Sequence, residues 1–190
     1  HEDVVRHVTE ADTGKGLWRE RDYPSVDGMV TDVPHLPLVV FSADCNVILL
    51  YDPVRRAIGA CHAGWRGTAL GIAAKTVREM TRLFGCNPAQ IRAAIGPAIR
   101  QCCFETDGDV PEALRAALGT DADPYITWDG HKYHIDLQGI NALWLRRTGV
   151  AQLDISDDCT ACRPDLYWSH RRMGSVRGSQ IAMISLEECP

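Results

Sequence analysis

Short apolar runs alternate with amphipathic stretches along the whole chain. Apolar runs of about four to eight residues between turn signals are typical of strands, and apolar residues three and four apart are typical of helices. The pattern predicts strands at 4–8, 36–41, 47–51, 57–60, 91–95, 131–137, 153–156 and 180–186. It predicts helices at 68–84, 110–118 and 136–147, with Gly85 ending the first and Asp136 capping the last.

This mixture of elements indicates the fold class. The sequence contains no internal repeat, low-complexity tract or linker, so residues 1–190 are expected to form one α/β (α+β) domain with mixed β-sheets packed against helices. The first predicted strand begins at residue 4, closer to the start than is usual for a domain. The sequence is therefore expected to lack an N-terminal segment of the domain.

Composition excludes several classes of protein. A net charge of -5 disfavours a general nucleic-acid or anionic-membrane binder, because such a surface repels phosphates. The longest apolar run, 36–50, is interrupted by Pro37 and Asp44 and is too short to span a bilayer. The sequence shows no export signal. We therefore expect a cytoplasmic protein that binds neither nucleic acid nor membranes and keeps most of its eight cysteines reduced.

Cys159 and Cys162 have the C-x-x-C spacing of zinc knuckles and redox pairs. Neither a second C-x-x-C nor a downstream histidine pair completes a set of four ligands. We therefore favour two buried thiols over a metal site or a redox pair.

The stretch 41–67 concentrates the candidate chemistry. Cys45 and His62 end two neighbouring predicted strands, so their side chains are expected at one edge of a sheet. Zinc binds Cys sulfur and His nitrogen, and a catalytic zinc site has three protein ligands, for which His1 is the third candidate. Spacing alone also allows a buried thiol near a hydrogen-bonded imidazole.

Three arginines are candidate anion ligands. Arg66 lies between Gly64 and Gly67, which allow close backbone approach, and its guanidinium matches phosphate or carboxylate. It could equally pair with an acid in a tight turn. Arg171 and Arg172, in a predicted polar loop at 169–172, could form a second anion contact or a solvated basic face.

The motifs together identify a family. In order they are Ser-Ala-Asp-Cys at 42–45, Cys-His-Ala-Gly-Trp-Arg-Gly at 61–67, Ile-Gly-Pro-Ala-Ile at 95–99, Cys-Cys-Phe-Glu at 102–105 and Ser-His-Arg-Arg at 169–172. This series resembles the polyphenol-oxidase or laccase-domain family, the purine nucleoside phosphorylases of the YfiH and YlmD type. The similarity extends over nearly the whole chain, and the fold it implies is similar to that of a toxin deamidase.

The resemblance implies a zinc ion, copper in some members, held by His1, Cys45 and His62. It further implies phosphorolysis of purine nucleosides, including methylthioadenosine, and deamination of adenosine. Purine nucleosides and phosphate are then the expected small-molecule partners, and a monomer or small homo-oligomer is the expected assembly. We assign Asp44 as a candidate catalytic group, or as an acceptor that orients His62 or His1. Arg66 and Arg172 would offset the charge of a phosphate that attacks C1′.

Three other functions compete with this one. A cysteine hydrolase or deamidase would use Cys45 as nucleophile and His62 as base. A copper-dependent phenol oxidase is disfavoured, because multicopper sites need more histidines than the seven present. The last alternative is a metal-stabilised binding protein that catalyses no reaction.

Overall fold

A six-stranded mixed sheet lies at the centre of the computed structural model, which describes residues 3–187. The strands of the described chain are β1 (Val5–His7), β2 (Gly28–Thr31), β3 (Leu38–Ser42), β4 (Asn46–Asp52), β5 (Ala57–Ala63), β6 (Arg92–Ile95), β7 (Glu105–Thr106), β8 (Ile126–Trp128), β9 (Tyr133–Ile135), β10 (Gln152–Ile155) and β11 (Gln180–Ile184). The α-helices there are α1 (Trp65–Ala69), α2 (Ile72–Phe84), α3 (Asp109–Leu118), α4 (Leu137–Arg147) and α5 (His170–Met173).

The central sheet has the strand order β1-β2-β5-β4-β6-β10. Its inner pairs are antiparallel, and the outer pairs β1/β2 and β6/β10 are parallel. Strands β3 and β11 form a separate antiparallel ribbon, and β7, β9 and β8 form a small antiparallel sheet. The predicted α/β domain of mixed sheets and helices is thus confirmed.

Both faces of the central sheet are covered. Helices α2 and α4 bury apolar side chains against one face, and the β3–β11 ribbon covers the other. Helix α2 approaches so closely that a Cβ atom at Gly59 would lie 3.1 Å from Met80 Sδ and from Thr76 Cγ2. Strands β4 and β5 are consequently buried on both sides, which holds their ends rigidly in place.

Three predicted elements were wrong in detail. The single helix at 68–84 is two helices, because Gly71 adopts a left-handed φ of 72° between them. The polar loop at 169–172 contains helix α5, since the Ser169 hydroxyl accepts the Arg172 N–H at 3.2 Å and caps it. The strand at 131–137 shrinks to Tyr133–Ile135, because Asp136 caps α4 through the Gly139 N–H. None of the helices within 3–187 has the length and apolar character needed to cross a bilayer.

Candidate active site

The side chains of Cys45 and His62 line one cavity of about 340 Å³. Strands β4 and β5 are antiparallel, and Val47 pairs with His62, so the residue just before β4 lies beside the end of β5. The predicted meeting of a thiol and an imidazole at one sheet edge therefore follows from strand register. The cavity wall also includes the aromatic rings of Trp65 and Phe104.

His62 is oriented by Asp27, a residue that the sequence did not single out. The Asp27 carboxylate lies 3.3 Å from His62 Nδ1, and its backbone carbonyl accepts the His62 N–H at 2.8 Å. Burial lowers the pKa of His62 from its ordinary value, which keeps the imidazole neutral at pH 7. A neutral imidazole with a carboxylate on one ring nitrogen is the state in which histidine binds metals.

Burial raises the pKa of the Cys45 thiol to about 11. The thiol is therefore protonated at pH 7 unless a cation is bound beside it. A thiolate nucleophile needs the opposite shift, so this environment disfavours a cysteine hydrolase. A sulfur donor beside a neutral imidazole instead fits zinc or copper. The third predicted ligand, His1, lies outside the described residues.

Asp44 links the turn before β4 to the segment 160–171 by hydrogen bonds. Its buried carboxylate accepts hydrogen bonds from the Thr160 hydroxyl at 2.6 Å, the Ser169 hydroxyl at 3.1 Å and the Arg171 backbone N–H at 2.6 Å. Asp27 therefore takes the place at His62 Nδ1 that was one of the two roles expected of Asp44. The other role, an acceptor that orients His1, stays a prediction because His1 lies outside the described residues. Asp44 itself lines the cavity, so its catalytic role stays a prediction.

Among the described residues, the arginines that line the cavity are Arg171 and Arg177, and the predicted anion-binding role of Arg171 stays a prediction. The Arg171 guanidinium donates to the backbone carbonyls of Cys103 at 3.2 Å and Glu105 at 2.8 Å, which fixes its position. Arg177 donates to the Nδ1 atom of His170 at 3.2 Å. Two guanidinium groups held at a cavity wall can attract and orient an anion.

Two other predicted anion ligands lie elsewhere. Arg66 is exposed on α1 and stacks over the Trp65 ring at 4.1 Å, and Arg172 donates to the Ala161 carbonyl at 3.2 Å. Neither belongs to the cavity wall as the described residues form it. Their phosphate-binding roles stay predictions.

A second cavity of about 470 Å³ adjoins the first. Phe41 and His62 line both cavities, and Asp27, Trp18 and Tyr23 line the second. His62 thus stands where two cavities meet, which gives room for a ligand larger than a single planar ring.

Four cysteines form a separate cluster. Cys102, Cys103, Cys159 and Cys162, hereafter the four-cysteine cluster, have sulfur atoms that all lie within 4.8 Å of one another and could hold a metal ion. The prediction of two buried thiols at 159 and 162 was wrong, because Cys162 is exposed and Cys102 and Cys103 complete a set of four. In the sequence, the adjacent cysteines at 102–103 were the signal that could have indicated the other two ligands. The seven described cysteines are free thiols.

Comparison with known proteins places these features in a family. The family described as "Multi-copper polyphenol oxidoreductase laccase" matches residues 1–187. The chain is 36% identical over 195 residues to purine nucleoside phosphorylase YlmD of Bacillus subtilis, covering 99% of this chain and 69% of that protein. It is 36% identical over 163 residues to a protein named adenosine deaminase from an unknown prokaryotic organism, covering 84% of this chain and 62% of that protein.

A solved structure agrees with the sequence comparison. The crystal structure of the hypothetical protein YfiH of Bacillus licheniformis has a TM-score of 0.94 and 39% sequence identity, covering 98% of this chain and 72% of that one. Sequence motifs, fold and family match therefore lead to the same conclusion. The chain belongs to the multi-copper polyphenol oxidoreductase laccase family, among whose members are proteins named purine nucleoside phosphorylase.

Proposed function

We propose that the protein is a metal-dependent enzyme that cleaves purine nucleosides with phosphate and deaminates adenosine, with methylthioadenosine as a further substrate. The observation that carries the proposal is the single cavity that contains Cys45, His62 and the guanidinium of Arg171. The names of the relatives support the substrate class. Phosphorolysis converts adenosine and phosphate into adenine and ribose 1-phosphate, and deamination converts adenosine and water into inosine and ammonia.

Cys45 and His62, with His1 as the third ligand carried over from the family resemblance, would hold the metal. Zinc is the favoured ion, with copper as the alternative. When bound, such an ion supplies Lewis-acid stabilisation and activated water.

The protein's own side chains supply recognition. Trp65 and Phe104 offer half-buried aromatic faces on which a planar purine can stack. Arg171 and Arg177 offer guanidinium groups for the phosphate, whose charge is offset as it approaches C1′. Asp27 keeps the His62 ring in one orientation through its Nδ1 atom.

A Cys45→Ala variant tests the proposal. We expect it to lose metal and to lose phosphorolysis and deamination together, because both reactions share one site. Products from adenosine, separated with and without phosphate, and metal per chain are the measurements. Cys86→Ala, which removes a buried thiol away from the cavity, is the matched control and should retain both activities.

The same assay separates the competing functions. Activity that resists a chelator and is blocked by a thiol alkylator would support the cysteine hydrolase instead. Full retention of either reaction by Cys45→Ala would rule out a shared metal site.

A further inference from the structure

The four-cysteine cluster has the dimensions of a mononuclear metal site. The sulfur atoms of Cys102 and Cys103 are 3.8 Å apart, those of Cys102 and Cys162 are 3.8 Å apart, and those of Cys103 and Cys162 are 3.4 Å apart. A disulfide bond would require about 2.05 Å. Four thiolates at about 2.3 Å around a tetrahedral zinc ion are separated by about 3.8 Å. These three separations are therefore close to those around one tetrahedrally coordinated ion, and no two of the four sulfur atoms are more than 4.8 Å apart.

The size of the cluster narrows the choice of ion. Four sulfur ligands in a tetrahedron select zinc or iron–sulfur chemistry. A polynuclear iron–sulfur cluster would separate its cysteines by the width of the cluster, whereas all four sulfur atoms here lie within 4.8 Å of one another. A single zinc ion fits this spacing, and each thiol that binds releases its proton.

Both ligand pairs are presented by tight turns. The Cys103 N–H donates to the Arg100 carbonyl at 2.9 Å, and the Cys162 N–H donates to the Cys159 carbonyl at 3.1 Å. The Arg100 N–H also points at the Cys159 sulfur at 3.5 Å, which is the kind of contact that stabilises a thiolate. The two turns thus hold the backbone of both cysteine pairs, and one backbone N–H directly contacts a cluster sulfur.

The apolar contacts between the two turns are few. The buried core there contains only Ile99, Cys159 and Ala161 among the described residues, with Cys103 and Phe104 packed against it. A core of this size buries too little apolar area to fix two long loops. A cross-link by metal would supply the missing stabilisation, as it does in small metal-binding domains.

The cluster lies directly behind the wall of the candidate active site. Thr160, between two of the cysteines, donates to Asp44, and the carbonyl of Cys103 accepts the Arg171 guanidinium. Phe104, next to Cys103, lines the cavity itself. A metal ion bound by the four-cysteine cluster would therefore also hold the Arg171 guanidinium and the Phe104 ring in position at the cavity wall.

We propose that Cys102, Cys103, Cys159 and Cys162 bind one zinc ion as a structural tetrathiolate site that is separate from Cys45 and His62 and that fixes this wall of the cavity. The site does not depend on the reaction proposed above. It requires no oxidant, because the thiols lose only protons to the solvent.

The test uses the Cys45→Ala protein, in which the other metal site is already disrupted. We expect this variant, purified with reducing agent, still to contain one zinc per chain by elemental analysis. Zinc X-ray absorption should show four sulfur neighbours at about 2.3 Å. The further change Cys162→Ser should remove the zinc, whereas Cys86→Ala in the same background should leave it bound.

A second variant distinguishes the loss of a zinc ligand from a failure of the Cys162→Ser protein to fold. Cys162→His retains a zinc ligand, so we expect it to keep the ion with three sulfur neighbours and one nitrogen neighbour. Removal of zinc with a chelator should lower the melting temperature of the Cys45→Ala protein and leave that of its Cys162→Ser derivative unchanged.

Two results would overturn the proposal. One is a folded Cys45→Ala protein without zinc, whose four cluster thiols all react freely with a thiol reagent and which binds no added zinc. The other is a mass that corresponds to disulfides within the four-cysteine cluster in protein that binds no added zinc after reduction, because this would make the cluster a redox pair instead.

Discussion

Burial favours the uncharged form of both candidate metal ligands of the cavity. It raises the pKa of the Cys45 thiol and lowers that of His62, so both side chains are uncharged at pH 7 without a cation. A bound divalent ion reverses this for the thiol, which becomes a thiolate at a much lower pH. The binding of metal to this pair should therefore weaken as pH falls, since protons compete for the sulfur.

The Asp27→Asn variant tests how far His62 depends on its carboxylate partner. We expect metal affinity or kcat/KM to fall about 10- to 100-fold, the usual effect of losing a carboxylate behind a metal-binding histidine. Competition with a chromogenic chelator measures the affinity, and melting temperature checks the fold. Asp22→Asn, which removes an exposed partner of Lys15, is the control and should leave the affinity unchanged. An Asp27→Asn protein with undiminished affinity and activity would contradict the assignment.

At the scale of elements, the hairpin of β8 and β9 braces the loop that carries Cys102. His134 on β9 lies 3.0 Å from the Gln101 carbonyl through Nδ1 and 3.0 Å from Asp129 through Nε2. The Gln101 carbonyl and then Asp129 raise the pKa of His134. The backbone N–H groups of Lys132 and His131, followed by His134, lower the pKa of Asp129 to about 2.

This pair predicts a pH-dependent contribution to stability. Because the folded pKa of His134 is raised, its stabilisation is fully present below the unfolded value of about 6.5 and is lost as pH rises through the folded pKa. We expect His134→Gln to lower the free energy of unfolding more at about pH 5.5 than at about pH 8.5. Urea unfolding at both pH values measures this. Equal losses for His134→Gln at both pH values would refute the prediction.

Periodicity predicted most elements because strands β3 to β6 and helices α2 to α4 each bury one face or both. It missed local backbone effects. Gly71 breaks one helix through its left-handed conformation, and Ser169 starts another by capping it. The two-residue strand β7 is too short to show a period. In these cases the backbone geometry or capping hydrogen bond of one residue decides where a helix begins or ends, whereas hydrophobic periodicity is a property of many residues together.

At the scale of the whole molecule, the site is assembled from segments that are distant in sequence. Cys45 and His62 line one cavity because β4, which begins just after Cys45, and β5, which carries His62, are neighbours in both sequence and space. Asp27 is 35 residues from His62, and Cys102 is 60 residues from Cys162. Such pairings follow from the order of strands in the sheet, which hydrophobic patterns do not specify.

Asp44, in the turn before β4, accepts hydrogen bonds from residues 116, 125 and 127 positions further along the chain. Asp44→Ala leaves two buried hydroxyl groups and one N–H without their acceptor, at about 1–3 kcal/mol for each group that finds no water. It also places alanine at a φ of 85°, which costs about 1–2 kcal/mol. We therefore expect the free energy of unfolding to fall by roughly 3 kcal/mol or more.

Comparison with a second variant separates the carboxylate from the backbone. Asp44→Asn tolerates the left-handed conformation and retains one acceptor oxygen, so it should lose less stability than Asp44→Ala. Urea unfolding gives both values, and amide exchange over 159–173 should rise most in Asp44→Ala, because this segment loses its anchor. Asp157→Ala, whose side chain is fully exposed, should change stability by less than about 0.5 kcal/mol. If Asp44→Ala were as stable as Asp157→Ala, the loops around the cavity would have to be held by other contacts.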